Sequence, residues 1–263
     1  MANGHRWRLD LEYDGRPFAG WQIQDGTPTV QGHLEDALHA VLGERVRVSA
    51  AGRTDSGVSA RQQVASVLTQ VERTAKSMRD GTNQHLPPEI SVIHAGLVPL
   101  EFDPRRTPHS KRYVYTWLCR PSRSPLSRAW HVRHNLDVQA MSRAAQVLCG
   151  THDFSSFRAA RCSATTTVRT LESIAVCQEG DRVRLVVEGT GFLRHMVRII
   201  AGALTEVGRG VREPKWMVDV LQGRDRSLAG RTAPAEALML DWIQYKERWG
   251  WRSAEVGSEP HRW

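Results

Sequence analysis

Residues 51–60 read Ala-Gly-Arg-Thr-Asp-Ser-Gly-Val-Ser-Ala and place one acid, Asp55, between an arginine and two glycines. Gly52 and Gly57 permit a sharp backbone turn that a residue with a Cβ would resist, so the segment predicts a turn that presents a carboxylate after a strand. Arg53 would favour the ionised carboxylate, which is the form that a nucleophile or a general base requires. Asp-Ser-Gly is also ordinary turn chemistry, so a polar loop is the alternative.

The segments around Asp55 alternate between strand and helix patterns. Every second residue is apolar in the strands, and the helix before Asp55 has an apolar stripe that Thr29 caps and Gly43 ends. These patterns predict strands over 7–13, 46–50, 63–68 and 90–94, and helices over 30–42 and 73–79.

The second half of the chain combines the same patterns with a hairpin signal at 178–181. Strands that alternate with helices but also pair through a hairpin predict an α+β fold with a mixed, largely antiparallel sheet. The predicted strands are 113–119, 171–176, 183–188 and 238–242, and the predicted helices are 137–148, 192–207 and 214–223. We expect subdomains over 1–105 and 106–247, and a polar tail over 248–263 whose composition allows disorder.

The composition is that of a globular protein with a basic surface. Of 263 residues 40% are hydrophobic and 24% are charged, and the net charge is +8. This surplus indicates a polyanionic partner, of which nucleic acid is the commonest, and the alternative is a solvated cationic surface.

The cysteines and the apolar runs argue for a reduced, soluble, cytoplasmic protein. Cys119, Cys149, Cys162 and Cys177 are widely spaced, without the pairing typical of zinc ligands, so we expect no metal site. The N-terminus lacks an apolar signal core, and no apolar run approaches the roughly 20 residues of a membrane span.

The segment 191–198, Gly-Phe-Leu-Arg-His-Met-Val-Arg, places Arg194 and Arg198 four residues apart on the face of the predicted helix. The helix continues as an apolar run and is therefore expected to be buried, so Arg198 would need a carboxylate partner. Asp55 is a candidate partner. The alternative is a surface arginine that pairs with Glu206 or with nothing.

Taken together, these segments resemble the tRNA pseudouridine synthase A family from about Arg8 to Tyr245. The matches follow the order of the family's motifs, which makes coincidence very improbable. They are 13–15, 20–22, 29–31, 52–57, 86–87, 111–115, 152–154, 195–198 and 232–235.

The resemblance implies a fold of two α/β subdomains that share the sheet, with helices packed on it and a central active-site cleft. It implies that Asp55 is the catalytic nucleophile, that Arg198 pairs with it, and that Tyr113 stacks on the target base. The pattern alone would make Tyr113 an inward strand residue. We assign substrate binding to Tyr113, Arg53, Arg194 and Gly57.

Four positions depart from the family's usual residues. Ser56 and Ser59 replace an alanine and a histidine after the aspartate, Asp103 replaces a histidine, and Ala237 replaces a glycine. The aspartate, the tyrosine and the arginine are all present, so the departures concern loop details and the fit to tRNA more than the activity.

The activity that the resemblance implies is conversion of uridine to pseudouridine at positions 38, 39 and 40 of the tRNA anticodon stem-loop. No electrons move and no water is added, so we expect no cofactor and no metal. Asp55 would attack C6 of the base or C1′ of the sugar, or would remove a sugar proton to form a glycal. The family also implies a homodimer, with tRNA as the partner and no membrane.

Two other classes compete with this interpretation. A non-catalytic RNA-binding protein would also be basic and carry aromatic residues on strands, although RNA repels an acid without a function. An aspartic protease would share the Asp55-Ser-Gly sequence, but that mechanism needs two carboxylates, and the chain has no second Asp-Ser/Thr-Gly.

Overall fold

The computed structural model describes residues 4–106, 108–124, 127–160 and 162–246, so the tail at 248–263 lies outside the described residues. The chain divides into two compact units. The first comprises the described parts of Met1–Thr54, Ala60–Ser110 and Trp242–Trp263, and the second comprises those of Asp55–Ser59 and Lys111–Asp241. The predicted subdomains, 1–105 and 106–247, differ from these units chiefly at 55–59 and at the end of the last strand, and they stay a prediction.

The first unit is built on antiparallel strands. Strand β1 pairs with β3 on one side and with β4 on the other, and its apolar residues Trp7, Leu9 and Leu11 are buried. The elements are β1 (His5–Tyr13), α1 (Val30–Leu42), β2 (Ser49–Ala50), β3 (Ser59–Thr69), a π-helical turn (Ser77–Gly81), α2 (Thr82–His85) and β4 (Ile90–Leu97).

Helix α1 begins and ends where the sequence predicts. The Thr29 hydroxyl accepts a hydrogen bond from the Gly32 N–H at 3.3 Å, and Gly43 ends the helix in the left-handed conformation, with φ of 74°. Two other predictions in this unit are wrong in extent. The strand predicted over 46–50 is reduced to β2, and the helix predicted over 73–79 lies further along the chain, ending with α2.

The second unit is a mixed sheet with helices. Strands β5, β9, β8 and β7 pair antiparallel in that order, while β6 pairs parallel to β5. The predicted α+β class with a largely antiparallel sheet is therefore confirmed. The elements that follow β4 along the chain are β5 (Pro108–Cys119), β6 (Trp130–Val132), α3 (Val138–Gln146), β7 (Gly150–Asp153), β8 (Val168–Glu179), β9 (Arg182–Gly189), α4 (Met196–Gly208), α5 (Trp216–Gly223) and β10 (Leu238–Tyr245). Residues 108–110 of β5 and 242–245 of β10 are counted in the first unit.

Helix α4 is the central helix of the second unit, and two contacts fix its position. The indole N–H of Trp117 on β5 donates to the Thr205 hydroxyl at 2.9 Å. At Gly202 a Cβ atom would lie 1.9 Å from the carbonyl oxygen of Arg231, so only glycine lets the 231–233 segment lie directly on the helix. These contacts define the direction of the side chains at the start of α4. In the part of the chain that the structure describes, no helix is long and apolar enough to cross a membrane.

Candidate active site

Asp55 lies in a tight turn whose conformation requires glycine. The Val58 N–H donates to the Asp55 carbonyl at 3.1 Å, and Gly57 has φ of 82°. A Cβ at Gly57 would also meet the Ala235 Cβ at 3.4 Å. The buried Val58 side chain belongs to the core of the second unit and anchors the turn there. This geometry explains Gly57 as a turn residue, and its part in substrate binding stays a prediction.

The first unit holds the residues that lead into this turn. The Trp21 N–H donates to the Thr54 carbonyl at 3.0 Å, and the Tyr13 and Thr54 hydroxyls are 2.8 Å apart in a buried hydrogen bond. The Gln63 side chain donates to the Gly52 carbonyl at 2.8 Å. The polypeptide is therefore fixed up to the residue before Asp55.

Arg198 makes the predicted contact with Asp55. Its Nη1 lies 3.1 Å from Asp55 Oδ2, although the two residues are 143 positions apart. A second hydrogen bond, from Nε to the Ala233 carbonyl at 2.9 Å, holds the guanidinium from the other side. The side chains of Arg198 and Asp55 are 15% and 25% exposed. The pair is therefore mostly shielded from water, although the Asp55 side chain stays partly accessible, and Glu206 is not the partner.

His195 is a second partner of Asp55 that the sequence interpretation missed. Its Nε2 lies 3.4 Å from Asp55 Oδ1, so each carboxylate oxygen faces a different basic side chain. His195 was part of the quoted 191–198 segment, but its contact depends on a left-handed backbone, with φ of 62°, that no local pattern indicates.

The start of α4 corrects the predicted position of Arg194. The helix begins at Met196 and not at 192, because the left-handed His195 cannot continue a helical turn. Arg194 consequently lies in the turn before the helix, exposed, and does not share a helical face with Arg198. Its role in substrate binding stays a prediction.

The environment of Asp55 keeps its carboxyl group ionised. Burial raises the pKa of Asp55, but the hydrogen bond and charge of His195, followed by the charge and hydrogen bond of Arg198, outweigh that effect. The pKa of the carboxyl group is therefore below its ordinary value. Such a group can act as a nucleophile or accept a proton at neutral pH.

Tyr113 is the half-buried member of an aromatic row on β5. Its ring packs edge-to-face on Phe192 at 4.9 Å between centroids, whereas Tyr115 and Trp117, on the same face of the strand, are fully buried. The Tyr115 hydroxyl has no hydrogen-bond partner within the described parts of the chain. Tyr113 is thus the ring of this row that a ligand can reach, and stacking on a base stays a prediction.

Arg53 is exposed and belongs to the first unit, and its contact with RNA stays a prediction. Among the residues that the structure describes, no group of three or more histidine, cysteine, aspartate or glutamate side chains is arranged to hold a metal ion.

Comparison with known proteins shows which family this chain is similar to. The model of a family described as tRNA pseudouridine synthase matches residues 11–105 and 144–246, and these ranges include Asp55, His195 and Arg198. The chain belongs to the tRNA pseudouridine synthase family.

Similar members of the tRNA pseudouridine synthase family come from several bacteria. A protein from Myxococcus xanthus is 47% identical over 245 residues, which cover 92% of each chain. A protein from Citrifermentans bemidjiense is 45% identical over 92% of this chain and 98% of its own. One from Pelobacter propionicus is 45% identical over 90% and 98%. All three are described as tRNA pseudouridine synthase A.

The departures from the usual tRNA pseudouridine synthase sequence fit this backbone. Ala237 is buried, and its carbonyl accepts from the Thr116 N–H at 3.0 Å without the positive φ that would require glycine. Asp103 accepts from the Arg105 N–H at 2.8 Å, Ser59 is buried, and Ser56 is exposed. None of the four disturbs the contacts of Asp55.

Proposed function

We propose that this protein isomerises uridine to pseudouridine at positions 38, 39 and 40 of the tRNA anticodon stem-loop, with Asp55 as the nucleophile. Membership of the tRNA pseudouridine synthase family supports the isomerisation of uridine in tRNA as the activity. The observation that supports the role of Asp55 is its carboxylate, which is partly accessible and lies between His195 and Arg198.

The reaction exchanges one glycosidic bond for another. The N1–C1′ bond breaks, the uracil turns, a C5–C1′ bond forms, and the proton lost from C5 is balanced by the proton gained at N1. Asp55 attacks C6 or C1′, or it removes a sugar proton to form a glycal. All three routes begin with an ionised carboxylate, and the lowered pKa of Asp55 supplies that form at neutral pH.

Arg198 keeps Asp55 ionised and oriented in this proposal, because its guanidinium is held by both Asp55 and the Ala233 carbonyl. Tyr113 stacks on the uracil and assists removal of the C5 proton. The edge of Phe192 supports the Tyr113 ring and limits its rotation.

Binding of the stem-loop uses charge and base flipping. A uridine in a paired stem must leave the duplex, at a cost of a few kcal/mol that pocket contacts offset. The exposed cations Arg53 and Arg194 contact phosphates, consistent with the net charge of +8. By its resemblance to the family, we further propose a cytoplasmic homodimer in which one tRNA contacts both subunits.

The test is to incubate the protein with unmodified tRNA transcripts and map pseudouridine at single-nucleotide resolution. We expect modification at positions 38, 39 and 40 wherever these carry uridine, and none with Asp55→Asn. Modification at other positions alone would refute the site assignment. Tight tRNA binding without any pseudouridine would instead support a non-catalytic RNA-binding protein.

A further inference from the structure

We propose that His195 is a positioning residue for Asp55, holding one carboxylate oxygen while Arg198 holds the other. The proposal rests on the function proposed above, since it assigns a part in that reaction. It concerns the orientation and charge of Asp55, because the contact that the structure shows for the His195 imidazole is with the Asp55 carboxylate.

The two basic side chains contact different oxygens of the Asp55 carboxylate. His195 Nε2 is 3.4 Å from Oδ1 and Arg198 Nη1 is 3.1 Å from Oδ2. A carboxylate held at one oxygen can still rotate about its Cβ–Cγ bond, whereas contacts at both oxygens fix the plane of the group. A nucleophile in a fixed orientation reacts faster, since misplacement by about 1 Å can cost about 100-fold in rate.

The backbone at His195 is held in a conformation that side chains rarely adopt. Among the described residues only His195 and Arg224 combine a Cβ with a positive φ. The surrounding turn is fixed on both sides, because the Ala159 N–H donates to the Arg194 carbonyl at 3.1 Å and the Ile199 N–H donates to the His195 carbonyl at 2.9 Å. A disfavoured conformation that its surroundings enforce is typical of functional sites, and here it directs the imidazole at Asp55.

Two basic side chains, His195 and Arg198, lie beside the carboxylate of Asp55. The groups that lower the pKa of Asp55 are His195 and Arg198. Arg198 stays charged throughout the working pH range. Tyr115 on β5 also interacts with Arg198. Burial and the charge of Glu236 raise the pKa of Tyr115, and these effects outweigh the charges of Arg198 and Arg231, which lower it. Protonated imidazole therefore adds a positive charge beside Asp55, and loss of His195 would raise the pKa of Asp55.

Two substitutions separate the imidazole from the backbone. His195→Gln keeps a donor of similar reach but never carries a charge. His195→Gly removes the side chain and adopts φ of 62° without strain. His134→Gln is the matched control, because His134 is exposed in the same unit. We would measure kcat and KM for an anticodon stem-loop RNA at neutral pH, and the pKa of Asp55 by carbon NMR without RNA, with Asp55→Asn for assignment.

We expect the NMR pKa of Asp55 to rise in both His195 variants, because each loses the charge that lowers it. In His195→Gly, kcat should fall by about tenfold or more with KM little changed, since orientation is lost as well as charge. His134→Gln should match the unsubstituted enzyme.

An unchanged Asp55 pKa in both variants would overturn the proposal, even if kcat fell, because that result indicates a purely structural role. If the unsubstituted enzyme formed no pseudouridine, the proposed function would fail, yet the NMR titration would still decide whether His195 acts on Asp55.

Discussion

The charge of Asp55 is the property on which the proposed reaction depends. Asp55→Asn keeps the shape of the side chain but removes the anion, so we expect pseudouridine formation to be abolished. Binding of tRNA should change by no more than about twofold. Any change should be a slight gain in affinity, because an amide repels phosphate less than a carboxylate does. Release of tritium from tRNA labelled at C5 of uridine and filter binding check the two expectations. Substantial turnover by the variant would remove Asp55 from the mechanism.

Arg198 is expected to contribute to both catalysis and stability. Arg198→Met loses the hydrogen bonds to Asp55 and to the Ala233 carbonyl, and it leaves a largely buried carboxylate without its permanent cation. We expect kcat to fall by about 100-fold or more and the free energy of unfolding to fall by roughly 1–3 kcal/mol.

Arg198→Lys is the matched variant, since it keeps the charge but lacks the planar fork of donors that holds Asp55 and the Ala233 carbonyl together. It should recover part of the stability and little of the rate. A near-normal rate in Arg198→Met would leave the activation of Asp55 to His195 alone.

The lowered pKa of Asp55 also predicts how stability depends on pH. Because the pKa is lower in the folded protein than in the unfolded chain, the ionised group stabilises the fold above the unfolded value of about 4. That contribution disappears as the pH falls through the folded pKa. The free energy of unfolding of the unsubstituted protein, minus that of Asp55→Asn, should therefore be smaller at pH 3 than at pH 6. Urea titrations at both pH values measure it, and an unchanged or larger difference at pH 3 would contradict the lowered pKa.

The pairing of Asp55 with Arg198 could be predicted because both residues lie in recognisable segments and a shielded arginine needs an anion. The contact of His195 could not. Helical periodicity assigns 192–195 to the start of α4, and only the tertiary contacts at Arg194 and His195 impose the left-handed turn that aims the imidazole.

At the scale of elements, the close approach at Gly202 is the most sensitive point of α4. Gly202→Ala places a Cβ 1.9 Å from the Arg231 carbonyl oxygen, and because both sides of the contact are backbone, the 231–233 segment must move. We expect a loss of at least about 2 kcal/mol in the free energy of unfolding. Gly191→Ala is the control, because its Cβ would meet its nearest neighbour, Arg169, at 3.9 Å. Thermal and urea unfolding compare the two, and equal stabilities would refute the constraint.

The caps of helix α1 could be predicted from the sequence, whereas the side chains that compete for the backbone hydrogen bonds of a strand could not. Thr29 and Gly43 act through their immediate neighbours, and α1 has the predicted bounds. The strand predicted over 46–50 mostly fails to form because α1 side chains take its hydrogen bonds. The Val48 N–H donates to the Glu35 carboxylate at 2.9 Å, and the Gln31 amide donates to the Val48 carbonyl at 3.2 Å.

For the whole molecule, the net charge of +8 predicts strongly salt-dependent binding. If several phosphates are contacted, the dissociation constant for tRNA should rise by about tenfold or more between 50 and 200 mM salt. Arg53→Gln and Arg194→Gln should each reduce the salt slope by roughly one. Arg16→Gln is the control, since Arg16 is already paired with Asp14. A dissociation constant that barely changes with salt would mean that the basic surplus is only a solvated surface.

The sequence predicts subdomains that are contiguous stretches of the chain, whereas the two compact units are each made of separate segments. The segment 55–59 follows Thr54 in sequence, yet it belongs to the second unit because Val58 is buried in that unit's core. Contiguity is the natural assumption from one sequence, and the predicted subdomain bounds stay a prediction.

The separation of 143 residues between Asp55 and Arg198 also has a consequence for protein synthesis. At roughly 5–20 residues per second, the ribosome makes the aspartate on the order of ten seconds before the arginine that pairs with it. Through that interval the nascent chain carries an acid without its cation. A message truncated before codon 195 yields a polypeptide that has the nucleophile but neither of its basic partners, so we expect incomplete translation products to form no pseudouridine.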